Sequence, residues 1–141
     1  MPCHLPLPKH NILSEGKLQY LQIVRGVQYI HSQRILHLDL KPFNIMFSNP
    51  DDDYNLRIID FGLAERLPGG EARVKMRMCG TLEFMAPEVM DCKFAAPASD
   101  MWGLGSIAFL LLSGGVSPFW GGNRWWPAFM NVLINAAEGP Y

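Results

Sequence analysis

The sequence is short of positive charge, and that shortage removes one class of function at once. Its 12 Lys and Arg against 13 Asp and Glu leave a net charge of −1, with no cationic excess to neutralise a phosphate backbone. Nucleic acid is therefore excluded as a partner. Cysteine is scarce as well: Cys3, Cys79 and Cys92 are odd in number, widely spaced and form no C-x-x-C pair. Zinc binding and thioredoxin-like redox chemistry lose their basis, and a reducing, cytoplasmic compartment is expected. No unbroken apolar run opens the chain. The start, MPCHLPLPKH, is interrupted by Pro2, Pro6 and Pro8, so residues 1–13 read as a loose N-terminal arm and not as a secretory signal. There is no internal repeat and no low-complexity segment.

Long hydrophobic runs are also few. The stretch from Met101 to Asn123, MWGLGSIAFLLLSGGVSPFWGGN, carries no charge over a length that could cross a bilayer. Gly103, Gly105, Gly114, Gly115 and Pro118 break it up, and its continuous apolar part, Ile107 to Leu112, is too short to span. A helix buried on all sides in a soluble protein reads the same way, and no membrane association is expected.

What is present suits one packed domain. The 141 residues are 49% hydrophobic, and a chain of that length buries roughly 70% of its unfolded surface. From Ser14 to about Ser32, Tyr20, Ile23, Val24, Val27 and Ile30 recur at helical spacing, with Ser14 placed to cap the helix. Ile45 to Phe47 and Leu56 to Ile59 read as two strands of a hairpin around the turn-rich NPDDDYN. Phe61 to Gly80, with Pro68-Gly69-Gly70 and alternating charges, reads as a long exposed loop. Pro87 suits the first turn of a short helix over Ala86 to Met90. Ser99 and Asp100 could cap an apolar helix that runs to about Ser113.

Four motifs occur in order: HLDLKPFN (His37 to Asn44), DFG (Asp60, Phe61, Gly62), APE (Ala86 to Glu88) and DMWGLG (Asp100 to Gly105). Taken singly, Asp39 and Asn44 read as turn residues, Lys41 as a solvated charge, Asp60 as a cap and Thr81 as a helix cap. Together, at these separations, they resemble the second half of a eukaryotic protein kinase catalytic domain. The details HLDLKP, IIDFGLAERL and SDMWGLG are similar to the myosin light chain kinase and titin-like serine/threonine kinases.

The resemblance implies a fold that is mainly α with a small antiparallel β-hairpin, an incomplete protein-kinase-like C-lobe over residues 14–141. It implies transfer of the ATP γ-phosphate to a protein Ser or Thr hydroxyl, with ATP and Mg2+ as cofactors. Asp39 would take the substrate hydroxyl's proton, and Lys41 would neutralise the transferred phosphoryl group. Asn44 and Asp60 would ligate magnesium, as hard oxygen donors suited to a hard cation. His37, Phe61, Gly62, Thr81, Glu88 and Asp100 would brace the site. The four tryptophans, Trp102, Trp120, Trp125 and Trp126, read as packing residues.

The partners implied are a protein substrate, of myosin light chain or cytoskeletal type, and a flanking autoinhibitory segment or a calmodulin-type regulator. Two substitutions depart from the family pattern: Leu38 replaces the usual arginine and Phe43 the usual glutamate. The sequence also has no G-x-G-x-x-G and no V-A-I-K. The expectation is therefore a partial kinase domain lacking the N-lobe and the last helices. Glu88 would then have no arginine to pair with, and the chain alone would be inactive. A non-catalytic interaction module that keeps the lobe's shape is the alternative.

Overall fold

The computed structural model describes residues 12–49, 52–75, 77 and 79–119. Helix α1 spans Ile12–Ser32 and buries Ile23, Val27 and Ile30, the stripe expected from the spacing of its apolar residues. Its start lies two residues ahead of the expected one, so Ser14 falls inside the first turn and is not the cap. Strands β2 (Ile45–Asn49) and β3 (Asp52–Ile58) form the hairpin, in antiparallel register with Ile45 opposite Ile58 and Phe47 opposite Leu56. Both strands reach further into the turn-rich stretch than its composition suggested. The Leu56 N–H donates to Gln22 Oε1 at 3.0 Å, tying the hairpin to α1.

Two features were not legible in the sequence. Strand β1 (Ile35–Leu36) pairs antiparallel with β4 (Glu65–Arg66), and Val74 bridges Ala95. The segment expected to be a plain exposed loop is thus fixed at both points, and its Leu67 is buried. Helix α2 covers Pro87–Met90, with Pro87 in its first turn as expected.

Helix α3 covers Pro97–Leu112. Ser99 and Asp100 lie in its first turn instead of capping it from outside, and the Ser99 hydroxyl accepts the Ala96 N–H at 3.1 Å. The apolar character of α3 reflects burial: Leu104, Ile107 and Leu110 face the interior. Among the described residues no helix is long and apolar enough to cross a membrane. A Cβ at Gly103 would lie 3.1 Å from both Cβ and the carbonyl oxygen of Leu40, so glycine allows α3 to approach the loop after β1.

The core has two parts. Leu36, Leu38, Leu67, Met85, Ala86, Val89 and Ala95 form one. Ile23, Val27, Leu40, Ile45, Leu104 and Ile107 form the other. The run Leu36 to Leu40 threads between them, Leu38 entering the first and Leu40 the second. Trp102 packs against the first cluster and stacks on Phe119, with ring centroids 5.3 Å apart. Trp120, Trp125 and Trp126 lie outside the described residues.

Candidate functional site

The alternation of His37-Leu38-Asp39-Leu40 sets the site. With both leucines committed to apolar clusters, His37 and Asp39 are left to make polar contacts, and a buried polar group must find partners. Asp100 supplies them from the first turn of α3. Its Oδ2 accepts the His37 N–H and its Oδ1 the Leu38 N–H, both at 2.8 Å. His31 Nε2 lies 2.7 Å from Asp100 Oδ2, at the C-terminal end of α1 where a basic residue suits the helix dipole. The carboxylate is inaccessible to solvent, and these donors offset its desolvation.

The His37 ring ties two motifs together. Its Nδ1 accepts the Asp39 N–H at 3.3 Å, which leaves Nε2 to carry the ring proton and donate to Ile59 O at 3.0 Å. The Phe61 ring packs on it, centroids 5.0 Å apart. The stretch before Asp60 is therefore held to the stretch before Asp39 through one imidazole.

Asp39 is the centre. Lys41 Nζ donates to its Oδ2 at 2.6 Å, while the amide and hydroxyl of Thr81 donate to its Oδ1 at 2.9 and 2.8 Å. Lys41 Nζ also donates to Thr81 Oγ1 at 2.8 Å, closing a three-residue ring of hydrogen bonds. Burial pushes the Asp39 carboxyl up, but the hydrogen bonds and charge of Lys41 and the donors of Thr81 outweigh it and hold the group below the usual carboxylate range. Thr81 stands at the N-terminal edge of the 3-10 turn Leu82–Phe84, yet its side chain caps nothing there. Its hydroxyl is spent on Asp39 instead.

Gly80 makes that approach possible. It adopts φ of 100°, in the left-handed region, and a Cβ there would sit 2.7 Å from the Leu38 carbonyl oxygen. Cys79, just ahead, is half-buried, and burial pushes its thiol up, with Glu65 and Asp39 adding to the shift.

Asn44 is buried in the 3-10 turn Pro42–Asn44. Its Nδ2 donates to Asp39 O at 2.8 Å and Oδ2 at 3.2 Å, bonds that leave the amide oxygen unused. The Ile59 N–H donates to Asn44 O at 2.9 Å, so Asp60 comes directly after the residue that pairs with Asn44. Asp60 is exposed with φ of 63°, and its Oδ1 accepts the Gly62 N–H at 3.2 Å. An amide oxygen and a carboxylate at one end of a hairpin form a hard donor set. That set fits magnesium, which keeps waters and takes few protein ligands. No cluster of three or more His, Cys, Asp or Glu that could hold a softer metal occurs among the described residues.

The structure thus brings Asp39, Lys41, Asn44 and Thr81 into one network, with Asp60 attached through Ile59 and His37 and Asp100 behind them. Glu88 stands apart. It is half-buried and accepts a hydrogen bond from Ser99 Oγ at 2.5 Å, and among the described residues no arginine forms an ion pair with it. Sequence reasoning missed His31, whose only signal is its place at the helix end, and read Ser99 as a helix cap without its contact to Glu88.

Comparison with known proteins agrees with the motifs. The family model described as protein kinase domain matches residues 7–134. Myosin light chain kinase 3 of Danio rerio is 50% identical over 115 residues, 82% of this chain and 15% of the relative. Myosin light chain kinase family member 4 of Mus musculus is 49% identical over 102 residues, 72% of the chain and 25% of the relative. A death-associated protein kinase of Caenorhabditis elegans is 47% identical over 103 residues, 73% of the chain and 7% of the relative. The chain spans between 7% and 25% of the length of these curated relatives.

Proposed function

The chain belongs to the protein kinase family, in the serine/threonine group that includes the myosin light chain kinases and the death-associated protein kinases, and from that premise we propose that its described residues form the C-terminal lobe of a catalytic domain that transfers the ATP γ-phosphate to a protein Ser or Thr hydroxyl. The observation that carries this reading is the ring of hydrogen bonds joining Asp39, Lys41 and Thr81 beside Asn44.

Phosphoryl transfer asks the protein for positioning and charge stabilisation more than for covalent chemistry. Asp39 stays ionised at neutral pH, so it orients the substrate hydroxyl and takes its proton as the phosphorus–oxygen bond forms. Lys41 supplies a cation at the same place. Its bonds to Asp39 and Thr81 hold the ammonium ready for the charge of the transferred group. Asn44 and Asp60 would hold magnesium, which when bound neutralises phosphate charge. Thr81 and Asp100 keep Asp39 and its loop in place. The names of the relatives support a myosin light chain-like substrate; a cytoskeletal substrate, control by a flanking autoinhibitory segment or a calmodulin-type protein, and a cytoplasmic location are proposed from the family resemblance.

A catalytic domain that joins this chain to a lobe bearing a glycine-rich phosphate loop and its lysine should phosphorylate a light chain peptide with labelled ATP. Asp39→Asn should lower the rate about 100-fold or more, the scale of a lost proton acceptor. No transfer by the complete domain, or transfer that Asp39→Asn leaves intact, would favour the non-catalytic interaction module instead.

A further inference from the structure

Arg34 stands outside the hydrogen-bond network of Asp39. It lies in the turn between α1 and β1 with φ of 60°, and its carbonyl accepts the Leu67 N–H at 2.8 Å. Its guanidinium then donates to three main-chain carbonyls of one segment. These are Leu67 O at 3.4 Å from Nε, and Pro68 O and Glu71 O at 2.5 and 2.7 Å from one terminal nitrogen. Among the described residues no carboxylate forms an ion pair with it. The Glu71 N–H donates to Pro68 O at 3.1 Å, so the guanidinium fills the mouth of that turn and takes the carbonyls at both its ends. A planar fork of fixed donors suits such a site, and a single ammonium does not.

The rest of the segment is fixed by groups of the same kind. Val74 and Ala95 exchange main-chain hydrogen bonds at 2.9 and 2.8 Å, and Arg73 lies over the Phe94 ring, 5.1 Å from its centroid. The chain then reaches Gly80 and Thr81, which grips Asp39. Residues 63–80 contain no Ser, Thr or Tyr, so within this stretch no phosphate can be added to order it. Leu38, beside Asp39, is buried in the apolar core and offers no cation.

We propose that Arg34 is a positioning residue for phosphoryl transfer. Its permanent charge clamps residues 67–71 to the strand that leads into Asp39, and so holds the segment carrying Thr81 in order without phosphorylation. This rests on the kinase reading above. The clamp bonds Leu67, Pro68 and Glu71 and none of Asn44, Ile59 or Asp60, so its loss is expected to act on protein substrate and not on nucleotide.

Hydrogen exchange on the full chain tests the clamp directly. In Arg34→Met the Leu67 and Glu71 amides should exchange about tenfold faster, as expected when a charged donor to a loop is lost, with α1 and α3 unchanged. Arg34→Lys should fall between. Unchanged exchange at Leu67 and Glu71 would overturn the clamp. Loss of protection across α1 and α3 in both variants would also overturn it, because Arg34 would then support the whole fold. In the complete catalytic domain, Arg34→Met should raise KM for the protein substrate about tenfold and leave KM for ATP within about twofold. Equal changes in both constants would overturn the positioning role. A wild-type domain with no transfer would sink the kinase reading and leave the exchange result to decide the clamp.

Discussion

Thr81 donates twice to the same oxygen of Asp39, through its amide N–H at 2.9 Å and its hydroxyl at 2.8 Å. Lys41 Nζ, which can only donate, takes a lone pair of that hydroxyl at 2.8 Å, so the hydroxyl proton is directed onto the carboxylate. One side chain therefore reads both the charge of Asp39 and the position of Lys41.

Thr81→Val keeps the shape and the amide bond but removes the hydroxyl, and should destabilise the domain by about 1.5–3 kcal/mol, the range for a hydrogen bond to a charged group. In an active kinase domain the same change should lower kcat more than it alters KM for ATP. Thr81→Ser should restore most of both. Urea denaturation and steady-state kinetics check this, and a serine variant as impaired as valine would show that packing of the methyl group matters more than the hydroxyl.

The depressed pKa of Asp39 has a defined pH signature. Its folded-state pKa lies below its unfolded value, so the stability it contributes is present above the ordinary carboxylate range, near pH 4, and is lost as pH falls through the folded value. The stability gap between wild type and Asp39→Asn should be largest near neutrality and close as pH drops below about 4. Denaturation series at several pH values measure it. A gap that widens on acidification would contradict the ionised network.

Gly80 is constrained twice, by φ of 100° and by the Leu38 carbonyl only 2.7 Å from where a Cβ would be. Gly80→Ala should cost about 1–3 kcal/mol in backbone strain alone, and more if the Leu38 peptide has to move. Because Leu38 and Thr81 flank Asp39, the variant should also lose the Asp39 network. Thermal melting combined with the pH series would show both effects, and a variant with wild-type stability would mean that the segment can leave the Leu38–Asp39 stretch at little cost.

Much of the site was legible in the sequence because the chemistry restricts the residue types. An acid, a lysine two positions on and an amide three further leave few alternatives once D-F-G follows, and Asp39, Lys41 and Asn44 do meet in one network. Helix α1 was legible from apolar spacing and α3 from its uncharged apolar run. The β1–β4 pair was not, since two-residue strands have no period to detect and their pairing depends on the chain returning 30 residues later. Arg34 was hidden for the same reason, because it binds main-chain carbonyls, which every residue carries. Ser99 was read as the cap but sits three positions past the actual N-cap, Ala96, where its hydroxyl reaches Glu88.

The burial of Leu38 bears on regulation. Kinases switched on by loop phosphorylation seat the phosphate on an arginine next to the catalytic aspartate. In this chain the residue ahead of Asp39 is a leucine, 8% exposed and packed among Leu36, Leu67 and Met85, with φ of 66°. Its side chain completes an apolar cluster, so Leu38→Arg would bury a guanidinium there and should destabilise the domain by about 3 kcal/mol or more. The receptor for a phosphate is missing, and the segment from Leu63 to Gly80 has no hydroxyl to receive one. A complete catalytic domain without flanking segments should therefore be active as synthesised, and phosphatase treatment should leave its rate unchanged. Rates measured before and after treatment, with mass spectrometry of residues 60–90, decide the matter. A large fall in rate traced to loss of phosphate from Thr81 would show that the hydroxyl now bound to Asp39 and Lys41 is itself the switch.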